Sequence, residues 1–167
     1  QIIAARTPVG ELQSPLTTAP SGLTDTRAPL RVKMVSGELQ SVSDLAFLNG
    51  ANLCAIGDGT SNGWEVVQSR DAELIDTNTY LLRNLLRGQG GSEVEATWPE
   101  GSFIVLLDNS VRQITLAEAK RGLSRFYRIG PASLPLTDPT YSVAQLAFDG
   151  IGLRPLSPVH LRLSGAP

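Results

Sequence analysis

The sequence predicts an all-β fold, a barrel or sandwich of short antiparallel strands with one or two short helices. Three observations lead there. Short apolar runs recur about every ten residues, which is the spacing of a many-stranded β domain. Sixteen Gly and eleven Pro divide those runs, and breakers at that density favour strands over long helices. Where a run is long enough to show a period, Leu30, Val32 and Met34 alternate with Arg31, Lys33 and Val35, as a strand requires.

Taken in order, residues 1–29 hold Pro8, Pro15, Pro20 and Pro29 among Thr, Ser and Gly. Each proline fixes φ and removes a ladder donor, so this stretch is expected to be an extended proline-rich connector held by neighbours. A strand follows over 30–35, closed by a turn at Ser36 and Gly37. Residues 41–48 suit a short helix capped near Ser43. Residues 52–56 and 64–68 read as strands around the loop 58–63, which makes a hairpin. Residues 72–76 are a short apolar run, and 79–86 fit a helix as well as a strand. Residues 103–107 are the clearest buried strand. Strand runs follow at 111–115, 124–129, 142–148 and 153–163, with one or two helical turns over 116–122. There is no internal repeat.

Composition narrows the function. A formal net charge of −2 gives no general attraction to nucleic acid or to acidic membranes. Of the fourteen basic residues only Lys33 and Lys120 are Lys. Arginine suits planar, bidentate contacts and interfaces, although a codon bias gives the same count. Cys54 is the only cysteine, which excludes an internal disulfide and a cysteine metal cluster. It lies in an apolar run and is expected to be a small buried hydrophobe. No signal peptide and no bilayer-spanning stretch is present, so no membrane insertion is expected. The first residue is Gln1 and both ends look unfinished, as in a piece of something longer.

The motifs of catalysis are incomplete. Gly59, Ser61 and Gly63 match the spacing of a nucleophile elbow, but that elbow needs a helix after the serine and a histidine as base. A strand-like run follows here, and the single histidine, His160, lies in another. Asp58, Thr60, Asn62 and Gly63 resemble the start of a calcium loop, but the twelfth position is Ser69 and not Glu. A looser site using Glu65 or Asp71 is the remaining metal reading, and a hairpin tip the plainer one. Asp71 with Glu73, and Glu93 with Glu95, have strand-face spacing but no aromatic surroundings of a sugar cleft. Trp64, Trp98, Tyr80, Phe126 and Tyr127 suit a sugar-stacking platform, against the more usual core or interface role. Among these Trp98 is the leading candidate, because Pro99, Glu100 and Gly101 place it in a loop. Arg83 and Arg87 are candidates for anion, glycan or interface contact, with salt bridges or subunit contacts favoured. No cofactor, no metal and no enzyme activity is expected.

The most informative stretch is Leu85-Leu86-Arg87-Gly88-Gln89-Gly90-Gly91-Ser92-Glu93, a basic glycine-rich turn between apolar runs. Phosphate loops, zinc sites and dinucleotide turns all need residues that it lacks, so Gly88, Gly90 and Gly91 read as an ordered structural turn. This run resembles a signature of the large host-specificity, or tail-tip, proteins of long-tailed phages and gene transfer agents. Residues 39–52 and 152–162 are similar to further segments of that family, and together the likeness covers roughly 30–163. Two positions depart from it. Gly90 stands where the family has Arg, and Ser92 where it has Thr.

The resemblance implies a structural module of a tail-tip, or baseplate hub, protein at the distal end of the tail of a virion or phage-like particle. Its role would be tail assembly and host cell-surface attachment. Its implied partners are other copies of the chain, as a homotrimer, other tail and baseplate proteins, and a host surface glycan. The expected organisation is a connector over 1–29, a β-rich tail-tip module over 30–155, and a strand or linker into a following domain over 156–167. A carbohydrate-binding module for host polysaccharide is the alternative from a different class.

Overall fold

A computed structural model describes residues 6–60, 63–93 and 96–153. Six antiparallel strands wrap into a closed barrel. They are β1 (Val9–Leu12), β3 (Leu30–Ser36), β4 (Leu53–Gly57), β5 (Glu65–Asp76), β6 (Thr79–Leu86) and β7 (Phe103–Leu106). Their order around the barrel is β6-β3-β1-β7-β4-β5, and pairing of β5 with β6 closes the ring. The two-residue strand β2 (Thr24–Asp25) adds to the end of β6. The all-β class expected from the sequence is therefore the observed one, in its barrel form.

Closure removes the exposed sheet edges that an open sheet would present. Inward-facing apolar side chains fill the interior, with the cleanest alternation in β3. In β3, Leu30, Val32 and Met34 point inward while Arg31, Lys33 and Val35 face out. Leu12, Cys54, Ile56, Val67, Leu82, Leu85 and Ile104 complete the buried layer. A void of about 10 Å³ remains between Leu30, Ile56, Val67 and Leu82, at the lower limit for one water. This is a packed barrel and holds no ligand cavity.

Several elements differ from expectation. The proline-rich start is part of the barrel: β1 lies between β3 and β7, and Leu12 and Leu16 are buried. Its four prolines all fall outside β1, and four residues need only one face covered. Beyond the strand, Leu16 and Trp98 exchange backbone bonds at 2.9 and 3.0 Å. Residues 65–76 form one twelve-residue strand, β5, in place of two short runs. The ambiguous stretch 79–86 is strand β6, because pairing on both sides overrides its leucine-rich helical pattern. Residues 111–115 form no strand, and 116–122 hold one 3-10 turn, Glu118–Lys120. The one α-helix among the described residues, α1 (Asp44–Leu48), starts where Ser43 accepts a bond from the Ala46 amide, as its capping chemistry predicts.

After the barrel, β8 (Ser124–Ile129) and β9 (Ser142–Ala147) pair as a two-stranded arm. A 3-10 turn, Ile151–Leu153, follows it and packs against the glycine-rich loop. The strand expected over 153–163 lies outside the described residues from 154 onward, as does the following linker.

Candidate functional site

The glycine-rich signature ends strand β6 at a buried ionic cluster. Arg87 and Glu65 are each about 1% exposed, although their charges would be strongly hydrated in an unfolded chain. Arg87 Nε donates to Glu65 Oε1, and a terminal nitrogen of the same guanidinium donates to Oε2, both at 2.7 Å. This is the bidentate fork that a lysine cannot make. The other terminal nitrogen donates to the Thr17 carbonyl at 2.6 Å. Glu65 also accepts from the Gly88 amide at 3.0 Å and from Trp98 Nε1 at 2.8 Å. Its four acceptor directions are thus filled by four donors. The cluster joins the proline-rich start, the first residue of β5, the end of β6 and the loop before β7.

The turn after it is tightly specified. Gly88, Gly90 and Gly91 have φ of 61°, 65° and 78°, where a side chain is disfavoured. A Cβ on Gly88 would lie 2.6 Å from Glu93 Cγ, and one on Gly91 would lie 2.9 Å from the Ile151 carbonyl. Gly91 therefore admits the 3-10 turn that follows the arm. Nothing lies within 4 Å of a Cβ built on Gly90, so this position faces open space. Ser92 accepts from the Val66 amide at 2.8 Å and donates to the Gln89 carbonyl at 2.7 Å. A threonine supplies the same hydroxyl.

The remaining candidates scatter. Trp98 is 8% exposed and bonded to Glu65, which corrects its reading as a loop residue free to stack on sugar. The isolated bridge to Leu16 draws it inward. Trp64 is half-buried, lies against Gly57 and donates to the Thr60 carbonyl at 2.7 Å. Tyr80 is buried in the barrel, while Phe126 and Tyr127 sit on opposite faces of the arm. The five aromatics form no common platform. Arg83 is exposed and pairs with Glu73 across β5 and β6 at 2.6 Å.

The loose metal reading also loses its ligands. Glu65 is spent on Arg87. Asp71 is held below the ordinary aspartate range by hydrogen bonds, chiefly from Arg70 and also from Asn84. Asp58 is lowered by bonds from Thr60. Among the described residues no three His, Cys, Asp or Glu side chains converge as a metal site. The loop after Asp58 leads into strand β5 and not a helix; Ser61 and His160 lie outside the described residues. Cys54 is buried, and burial pushes its thiol up to about 12.

Sequence reasoning missed Glu65 as the partner of Arg87. The available signal was an acidic residue at the head of an otherwise apolar run, Glu65-Val66-Val67-Gln68, that ends as a barrel strand. Both ends of the pair then fall inside a core, where an unpaired charge is costly.

No curated protein matches the chain. A family model described as Rcc01698-like, C-terminal, matches residues 7–105, more than half of it. That span begins just before β1 and ends within β7, so it takes in five barrel strands whole, most of β7 and every residue of the Arg87 cluster. The chain belongs to the Rcc01698-like, C-terminal, family.

Proposed function

We propose that this chain is a structural module of a phage-like tail-tip, or baseplate hub, protein, serving tail assembly and host cell-surface attachment. Rcc01698 is a gene of the gene-transfer-agent region of Rhodobacter capsulatus, which agrees with a role in such a particle. One observation carries the reading. The most distinctive residues of the chain, Arg87, Gly88 and Gly91, are consumed by internal contacts. The signature specifies a shape.

The module works without a cofactor and without catalysis. It acts as part of a trimer at the distal end of the tail, beside other tail and baseplate proteins. The carbohydrate alternative has no comparable support, because its leading residue, Trp98, is buried in the cluster. Electron cryo-microscopy of intact particles tests the proposal. Density for this barrel is expected at the distal tail end in three copies. Its location in the head or along the tail tube would refute the reading, and a copy number other than three would refute the trimer.

A further inference from the structure

The arm formed by β8 and β9 has no core of its own. A two-stranded ribbon is marginal in water unless something covers it. Directly paired residues share a face, and Phe126 pairs with Gln145 while Arg128 pairs with Val143. One face thus carries Phe126, Val143 and Arg128, with Phe126 72% and Val143 55% exposed.

Charge is divided along the chain in the same way. Residues 6–106 hold seven Lys and Arg against twelve Asp and Glu, while 107–167 hold seven against four. Every salt bridge among the described residues lies in the barrel part. The cations of the arm region, Arg112, Lys120, Arg121, Arg125 and Arg128, form no salt bridge with any described carboxylate. Arg128 donates to the Leu136 carbonyl.

The barrel wall offers a matching patch. Phe103, 39% exposed on β7, stands opposite Glu11 of β1 on one side and Gly57 of β4 on the other. Glu11 is exposed and makes no salt bridge among the described residues, and Asp58 follows Gly57. Phe103 therefore lies between two carboxylates, Glu11 and Asp58, with Lys33 opposite Glu11 on the far side, and an apolar ring lies beside a base on the arm.

We propose that the arm of one copy docks on the barrel of a second copy of this chain, setting Phe126 and Val143 against Phe103 and Arg128 against Glu11. This rests on the assembly reading above and names its contact surface. The opposite net charges of the two parts steer copies together, and salt screens that attraction.

Sedimentation equilibrium of the 167-residue chain over a range of concentrations tests it. Reversible self-association is expected, weakening as sodium chloride rises from about 50 to about 500 mM. F126D should weaken it about tenfold or more, as a lost anchor does. R128E and E11R should each weaken it, and the double variant E11R/R128E should recover most of the loss. Unchanged thermal midpoints would show that the variants fold, since all three positions are exposed. A monomer throughout, association indifferent to F126D and R128E, or no recovery in the double variant would overturn the inference. Any of these, with the chain still found at the tail tip, leaves the assembly reading standing.

Discussion

Single residues carry the fold's most specific information, and the glycine-rich loop shows how. Gly90→Ala meets only the backbone penalty of a positive φ and should cost about 1 kcal/mol. Gly88→Ala and Gly91→Ala add a close approach to Glu93 and to the Ile151 carbonyl, so both should cost more. Urea unfolding measures this ranking, and three equal losses would contradict it. Cys54 gives a second expectation. Its thiol is raised to about 12 by burial from an ordinary value of 9.0. A raised folded value contributes stability that is complete below the unfolded value and lost as pH rises through the folded one. Cys54→Ala should therefore show a shallower alkaline loss between pH 9.0 and about 12 than the parent chain. A parallel decline in both would show that the thiol ionises freely in the folded state. The three glycines were legible because positive φ leaves a mark in residue type. Glu65 was not, because its partner lies twenty-two positions away and only barrel closure brings them together.

At the level of elements, periodicity was readable wherever a strand is long and one-sided. β3 alternates cleanly, and β4, β7, β8 and β9 fall close to the apolar runs that announce them. β1 escaped because it spans four residues, and Leu12 is the only fully apolar inward position in it. Leu12 nevertheless has 0% exposure between β3 and β7. Leu12→Ala should cost about 2–5 kcal/mol, as large-to-small core changes do. The same placement sets an expectation for proteolysis. Residues 9–16 should resist cleavage in the isolated chain, while the segment 107–141, almost wholly exposed, is cut first. Early cleavage near Val9 with an intact 107–141 would mean that β1 is only loosely attached. Residues 111–115 failed as a strand for the converse reason. Their apolar pattern finds no neighbouring edge, since closure of the barrel has already paired every strand beside it.

The whole molecule depends on closing a ring whose strands come from distant parts of the chain. Burying two charges is not in itself stabilising, and hydrophobic replacements of such a pair are often neutral or better. What Arg87 and Glu65 add is position. Their bonds fix Thr17, Gly88 and Trp98 around one ion pair and so register the start, middle and end of the barrel. This explains why the run Leu85 to Glu93 contains an arginine before its glycines and yet no reacting group. The most direct test is a double-mutant cycle in urea with Glu65→Leu, Arg87→Met and both together. Each single change strands a buried charge and should cost about 3–5 kcal/mol, whereas the double variant should lose no more than about the worse single. Single losses that simply add, or single variants within about 0.5 kcal/mol of the parent, would contradict the claim that the signature is a clamp closing the barrel.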